Sequence, residues 1–424
     1  MDRSSRVRSV VLLCLMLAGV AVVATRAGTA QPAGETRAAR FDRMSRDAEA
    51  RGLADPFKGV TADGTVVPRL FAIESTGVST APVQKAAAAF IATLTAGQRA
   101  RTLFGVDDPE WRKWMNQHFY TRQGLGFGEM NDGQRDAAFG LLRASLSARG
   151  LTLSRDIMKL NTTLAELNKG NFEEYGEGRY YLTVMGTPSR TQPWGWQIDG
   201  HHLIVNYFVL GDQVVMTPSF FGSEPVVATT GKYAGTRILQ GEQAAGLAFV
   251  NGLDDGQRAK AILRADKPGN DNVGEAWKDN VVVAYAGLPV TALTPAQRTR
   301  LLELVALHID NMDEGHARVK MAEIRQHLDA TWFAWIGGTG PESVFYYRIH
   351  SPVVLIEFDH QLPVGVRQLV ANPRVPFRDH IHVVVRTPNG NDYGKDLLRQ
   401  HYAAQRGNAA HGHVTPTVPS SNAW

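Results

Sequence analysis

Apolar and polar positions along the chain switch between two periods. Helical spacing governs 81–94, 134–169, 237–265 and 293–329, where apolar residues recur every three to four positions. Strand-length runs of β-branched and aromatic residues occupy 180–185, 196–198, 202–210, 214–217, 343–350, 353–358 and 380–386. Gly211-Asp212 between two of these runs is a hairpin turn signal. Strand runs that follow helical stretches predict an α+β fold: an antiparallel or mixed β-sheet core with helical layers, organised in two helical lobes.

Four stretches share one layout: LTAGQRARTLF (94–104), MNDGQRDAAFGLL (130–142), LDDGQRAKAIL (253–263) and LTPAQRTRLLELV (293–305). Each places Thr, Asp or Asn where its side chain can accept from the free N–H groups of a first helical turn, with Gln-Arg and an apolar stripe behind. The uneven spacing is not that of a solenoid. The layout predicts recurrent helix starts, through relatedness of two lobes or through convergent capping. Gln98, Gln134, Gln257 and Gln297 read as local helix residues. The segment 107–130 is loop-like and aromatic, suited to packing Trp111 and Trp114 or to lining a pocket. The segment 266–278 is rich in Gly and Asn, the composition of a mobile loop.

The first 30 residues set Arg3, Arg6 and Arg8 before an apolar run and end on small residues, the layout of a secretory signal peptide cleaved before Gln31. Periplasmic or extracellular localisation follows. Residues 31–75 read as a linker and N-terminal arm, 76–404 as a single large domain with sub-lobes 76–235 and 236–404, and 405–424 as a flexible tail. Of the formal charge of +4, most sits in the leader, so the mature chain is near neutral and lacks the basic excess of a nucleic-acid binder. No segment after the leader is long and apolar enough for stable membrane insertion. The single cysteine, Cys14, lies in the leader, which removes thiol nucleophiles, thiolate metal sites and disulfides from the mature protein.

Candidate chemistry concentrates in the strand runs. His380-Ile381-His382 puts two imidazoles on one strand face. Glu357 and Asp359 likewise share a face, and a carboxylate in so apolar a run requires a proton, a metal or an ion-pair partner. Gly200-His201-His202 opens another run, in which a strand would place His202 and Asn206 on one side. These residues predict a divalent metal site (zinc, iron or manganese) with His380, His382, Glu357 and His202 as ligands. Asp359 and His202 are the proton-transfer candidates. Arg348 and Arg386 would bind substrate charge, or else neutralise the buried carboxylates. No G-x-S-x-G elbow, Walker loop, dinucleotide fingerprint or H-E-x-x-H motif is present.

The combination GTPS, PWGW, GHHLIVNYFV, TPSFFG, YYRIHSPVVLIEFDH, HIHVVVRTPNGNDYG and DLLRQHY resembles the family known as domain of unknown function 3500, over about 81–402. The resemblance implies exported bacterial proteins, and a polar residue such as Asn where this chain has His360. It implies no reaction. The residues therefore point to an exported metal-dependent enzyme, hydrolytic in the simplest case, acting on a small polar or anionic substrate. The alternatives are a small-ligand-binding protein without catalysis and a non-haem iron oxidoreductase.

Overall fold

A computed structural model describes residues 35–410; the leader and the last residues of the tail lie outside them. After α1 (Arg37–Gly52), one order of elements runs twice through the chain, the first time with one additional short strand (Gln213–Val215). The first pass is α2 (Ala81–Ala92), α3 (Ala96–Thr102), β1 (Leu103–Phe104), a long loop, β2 (Leu125–Gly126), α4 (Asp132–Ser145), α5 (Ala148–Leu167), β3 (Tyr180–Met185), β4 (Trp194–Gly200), β5 (Leu203–Leu210), β6 (Gln213–Val215) and β7 (Ser219–Ser223). The second is α6 (Gln240–Asn251), α7 (Asp255–Ala261), β8 (Ile262–Arg264), a long loop, β9 (Leu288–Pro289), α8 (Pro295–Ile309), α9 (Glu314–Gln326), β10 (Trp332–Gly337), β11 (Phe345–His350), β12 (Leu355–His360) and β13 (Ile381–Arg386), before α10 (Lys395–Ala410).

The strands make one mixed sheet in the order β1-β3-β4-β5-β7-β13-β12-β11-β10-β8. The order reads the same from either end: the two passes meet at the antiparallel pair β7–β13, and each ends in a parallel pair, β1–β3 and β8–β10. The four recurrent motifs start α3, α4, α7 and α8, each with a complete capping box: Thr95 with Gln98, Asn131 with Gln134, Asp254 with Gln257, Thr294 with Gln297. Gln134 Nε2 also donates to Gln98 Oε1 at 2.8 Å, and Gln257 and Gln297 exchange amide hydrogen bonds at 2.9 and 2.7 Å. The glutamines thus cap their own helices and tie them in pairs.

The sheet has two different faces. Toward the helices it carries aromatic side chains, with Trp196 stacked on Tyr207 and Tyr347 on Phe358. Trp196 donates to Ser145 of α4, and Tyr347 bonds His308 of α8. His360 lies on this side, its ring nitrogens bonded to the backbone of Phe345 and to Gln243 of α6, so it is a core residue. The opposite face is polar and is covered by the two long loops. In the first pass Gln197 donates to Trp111 O and Asp199 pairs with Arg122 at 3.1 Å. Trp111 and Trp114 of that loop are fully buried, with their indole N–H groups donated to Val106 O and Tyr393 Oη.

Glu110 is also buried beneath this loop, with Lys113 Nζ 4.0 Å from its carboxylate. Burial pushes its carboxyl up to about 8, against the weaker pull of Lys113. The unfolded chain gives up this proton near the ordinary value of 4.5, the folded chain only near 8. Between those values the folded state binds more protons, so its stability falls as pH rises. Glu110→Gln is expected to match the wild type below about pH 4.5 and to become progressively more stable than it up to about pH 8. Thermal unfolding across that range checks this, and parallel curves would contradict it.

Candidate metal centre

β13 alternates His382, Val384 and Arg386 on the polar face, and His380 precedes the strand by one residue on the same side. Its register sets His382 opposite Gly222 of β7. A Cβ at Gly222 would stand 2.5 Å from Ile381 O and 3.3 Å from His382 Cδ2, so glycine leaves the imidazole its space.

The third histidine arrives from a turn. Gly200 pairs with Leu203, and His201-His202 is the two-residue connection between β4 and β5. His202 has φ +64°, a left-handed conformation that costs a side-chain-bearing residue about 1–2 kcal/mol. Its N–H donates to Asn116 O at 3.2 Å, and its carbonyl accepts from Gly222 N–H at 2.9 Å. This corrects the expected placement of His202 on a strand beside Asn206. Asn206 is fully buried, bonded to Gln197 at 2.7 Å and to Pro218 O at 2.8 Å.

The turn and the strand bring three Nε2 atoms to one point. His202 lies 3.0 Å from His382 and 3.3 Å from His380, and His380 lies 3.0 Å from His382. An ion with M–N bonds of about 2.0–2.1 Å sets its nitrogens roughly 2.9 Å apart at right angles and 3.3 Å apart at tetrahedral angles. The observed separations span that range. Among the described residues this is the one group of three or more His, Cys, Asp or Glu side chains with metal-ligand spacing.

The partners of the other ring nitrogens fix the tautomers. His380 Nδ1 lies 2.7 Å from Leu362 O, and His382 Nδ1 lies 2.6 Å from Glu275 Oε1. The Leu362 carbonyl requires a proton on His380 Nδ1, and an ionised Glu275 places one on His382 Nδ1; in their neutral forms both rings then present a lone pair on Nε2. Two lone pairs 3.0 Å apart repel, and His202 has one Nε2 proton at most to set between them. A cation at the centre satisfies all three. Burial, then the neighbouring His382 and His380, holds the His202 imidazolium well below its ordinary range, and burial, then His380, does the same for His382. The His202 ring is stacked at 4.0 Å on His201, which is anchored to Asn161 Oδ1 at 2.8 Å, and lies parallel to Phe220.

The expected carboxylate ligand stands elsewhere. Glu357 accepts from Tyr346 Oη at 2.6 Å and from the N–H groups of Val273 and Gly274 at 2.9 and 2.7 Å. Asp359 pairs with Lys267 at 2.6 Å and accepts from Gln361 and from the N–H groups of Asp271 and Asn272. Both carboxylates clamp the second long loop to the sheet, so the stretch expected to be mobile is a pinned strap. Of the two expected substrate-binding arginines, Arg386 is committed to the fold. Arg386 is fully buried between Asp279 and Asp392, and Arg348 sits opposite Glu357 and donates to Ala284 O.

Glu275 had no signal in the sequence, since it is one acidic residue in a polar loop. Only the strap's path over the sheet brings it to His382.

The family described as Protein of unknown function (DUF3500) matches residues 76–395. The chain belongs to this family. No curated protein and no solved structure matches it. The match covers both passes of the repeated element order and all three histidines, so the site lies within the family's own domain.

Proposed function

We infer that the protein is an exported metal-dependent hydrolase in which His202, His380 and His382 hold one divalent ion. The observation that carries this reading is the convergence of three buried imidazole Nε2 atoms at metal-ligand spacing on one point. Three uncharged ligands leave the ion its full double charge, and such an ion lowers the pKa of a bound water toward neutrality and polarises a carbonyl or phosphoryl oxygen. The carboxylate-containing ligand set of many non-haem iron oxygenases is not assembled, because Glu357 is committed to the strap. Arg386, engaged in the fold, does not serve a substrate, and the substrate is a small polar or anionic molecule. Export rests on the leader over 1–30; no described helix is long and apolar enough to cross a membrane.

The burial of the three histidines, 3–6% exposed, favours one rival, a closed structural ion. Elemental analysis of the purified protein, cut near Gln31, is expected to find close to one zinc-class ion per chain. After cobalt substitution, visible bands that move on adding azide mark an open coordination position and support the enzyme. Bands indifferent to azide support the structural ion, and a chain that binds no ion overturns both readings.

A further inference from the structure

We propose that Glu275 is the positioning residue of this metal centre, delivered to it by the strap. The inference rests on the metal reading above and adds the group that sets how tightly His382 binds.

The strap crosses the polar face with its backbone N–H groups turned toward the sheet in succession. Asp359 takes those of Asp271 and Asn272, and Glu357 takes those of Val273 and Gly274. The next residue is Glu275. Its own carbonyl is held by Arg386 Nη2 at 3.0 Å and that of Gly274 by Arg386 Nε at 2.7 Å. The backbone on both sides of Glu275 is therefore fixed, which sets the point from which its side chain reaches His382. Oε1 meets His382 Nδ1 at 2.6 Å and also accepts from Asn272 Nδ2 at 3.0 Å.

A carboxylate on the far nitrogen of a ligating imidazole keeps the proton there, fixes the ring plane and makes Nε2 more basic. His380 is served differently: a neutral carbonyl, Leu362 O, holds its Nδ1. His380 and His382 are thus held unequally: a carboxylate bonds His382 Nδ1 directly, whereas the nearest carboxylate to His380 Nδ1, that of Glu224, stands 3.8 Å away, beyond hydrogen-bond distance. Glu357, the carboxylate that the sequence offered as a ligand, and Asp359, offered for proton transfer, serve the centre at one remove, by holding the strap that carries the group that does touch a ligand.

The test uses the full mature chain. Cobalt affinity is measured by competition with a chelator for the wild type, Glu275→Ala and Glu275→Gln, together with the visible spectrum of each cobalt form and the melting temperature of each metal-free form. Glu275→Ala is expected to bind cobalt about 10–100-fold more weakly, with displaced visible bands. Glu275→Gln keeps an acceptor for Nδ1–H but loses the charge, and is expected to fall between. The metal-free melting temperatures should stay close, because the strap remains anchored by Glu357, Asp359 and Arg386. If both variants bind cobalt with wild-type affinity and spectrum, the role of Glu275 is refuted while the metal reading stands. If the wild type binds none, both fall. Should Glu275→Ala fail to fold, the Gln variant decides alone: an unchanged affinity and spectrum refute the proposal, and a weaker, displaced one supports it.

Discussion

Replacing His380 and His382 together by alanine is expected to abolish stoichiometric metal binding, and replacing any one of the three histidines to weaken it by about a hundredfold or more. Structural zinc sites with four protein ligands contribute roughly 10–16 kcal/mol, or ~3 kcal/mol per ligand, and each 1.4 kcal/mol is a factor of ten. The sharper part of the prediction concerns the metal-free protein. If the three rings were a structural hydrogen-bonded cluster, deleting two would leave His202 unpaired inside the fold and cost about 1–3 kcal/mol. If they are ligands held apart from their ion, the deletion removes facing lone pairs 3.0 Å apart. Relief of that repulsion then offsets the lost Nδ1–H bonds to Leu362 O and Glu275, and the metal-free double variant should stay within about 1 kcal/mol of the metal-free wild type. Chelator-stripped samples compared by thermal unfolding separate the cases. A double variant that retains one ion per chain would end the assignment.

What was legible in the sequence was what local geometry determines. A capping box needs four consecutive residues, so the starts of α3, α4, α7 and α8 could be read directly. Strand alternation likewise places His380 with His382, and Glu357 with Asp359, each on one face. The step that fails is from sharing a face to sharing a site. His382 does lie directly across from Asp359 in the β12–β13 register. What covers the face decides the chemistry, and the cover is a strap about a hundred residues earlier in the chain, whose N–H groups occupy both carboxylates. His202 reaches the cluster by a left-handed turn conformation that glycine or asparagine more often adopts, so a strand reading of GHHLIVN places its side chain wrongly. The matching of the two passes across β7–β13 was only hinted at by the repeated helix starts, because the order of strands in a sheet is not a local property.

Arg386→Ala is expected to be the most damaging single substitution on the polar face, at about 3–5 kcal/mol. The guanidinium is fully buried, bonded to Asp279 at 2.8 Å and Asp392 at 3.1 Å, and lies over the Trp114 ring. Asp279 keeps Arg112 at 2.7 Å and Tyr393 Oη at 2.9 Å when Arg386 is gone. Asp392 keeps only hydrogen bonding from Thr387 N–H. Burial already pushes the Asp392 carboxyl up, with Arg386 the main pull against it, so the loss leaves a buried charge uncompensated. A second change, Asp392→Asn, removes that charge and should recover part of the loss. The urea midpoints of the two variants measure it, and a single variant within about 1 kcal/mol of wild type would contradict the argument. The same arginine holds the carbonyls of Gly274 and Glu275, so its removal also loosens the carboxylate on His382. Saturating metal should therefore raise the stability of Arg386→Ala by less than it raises that of the wild type, because an ion stabilises a fold only in proportion to how tightly the fold binds it.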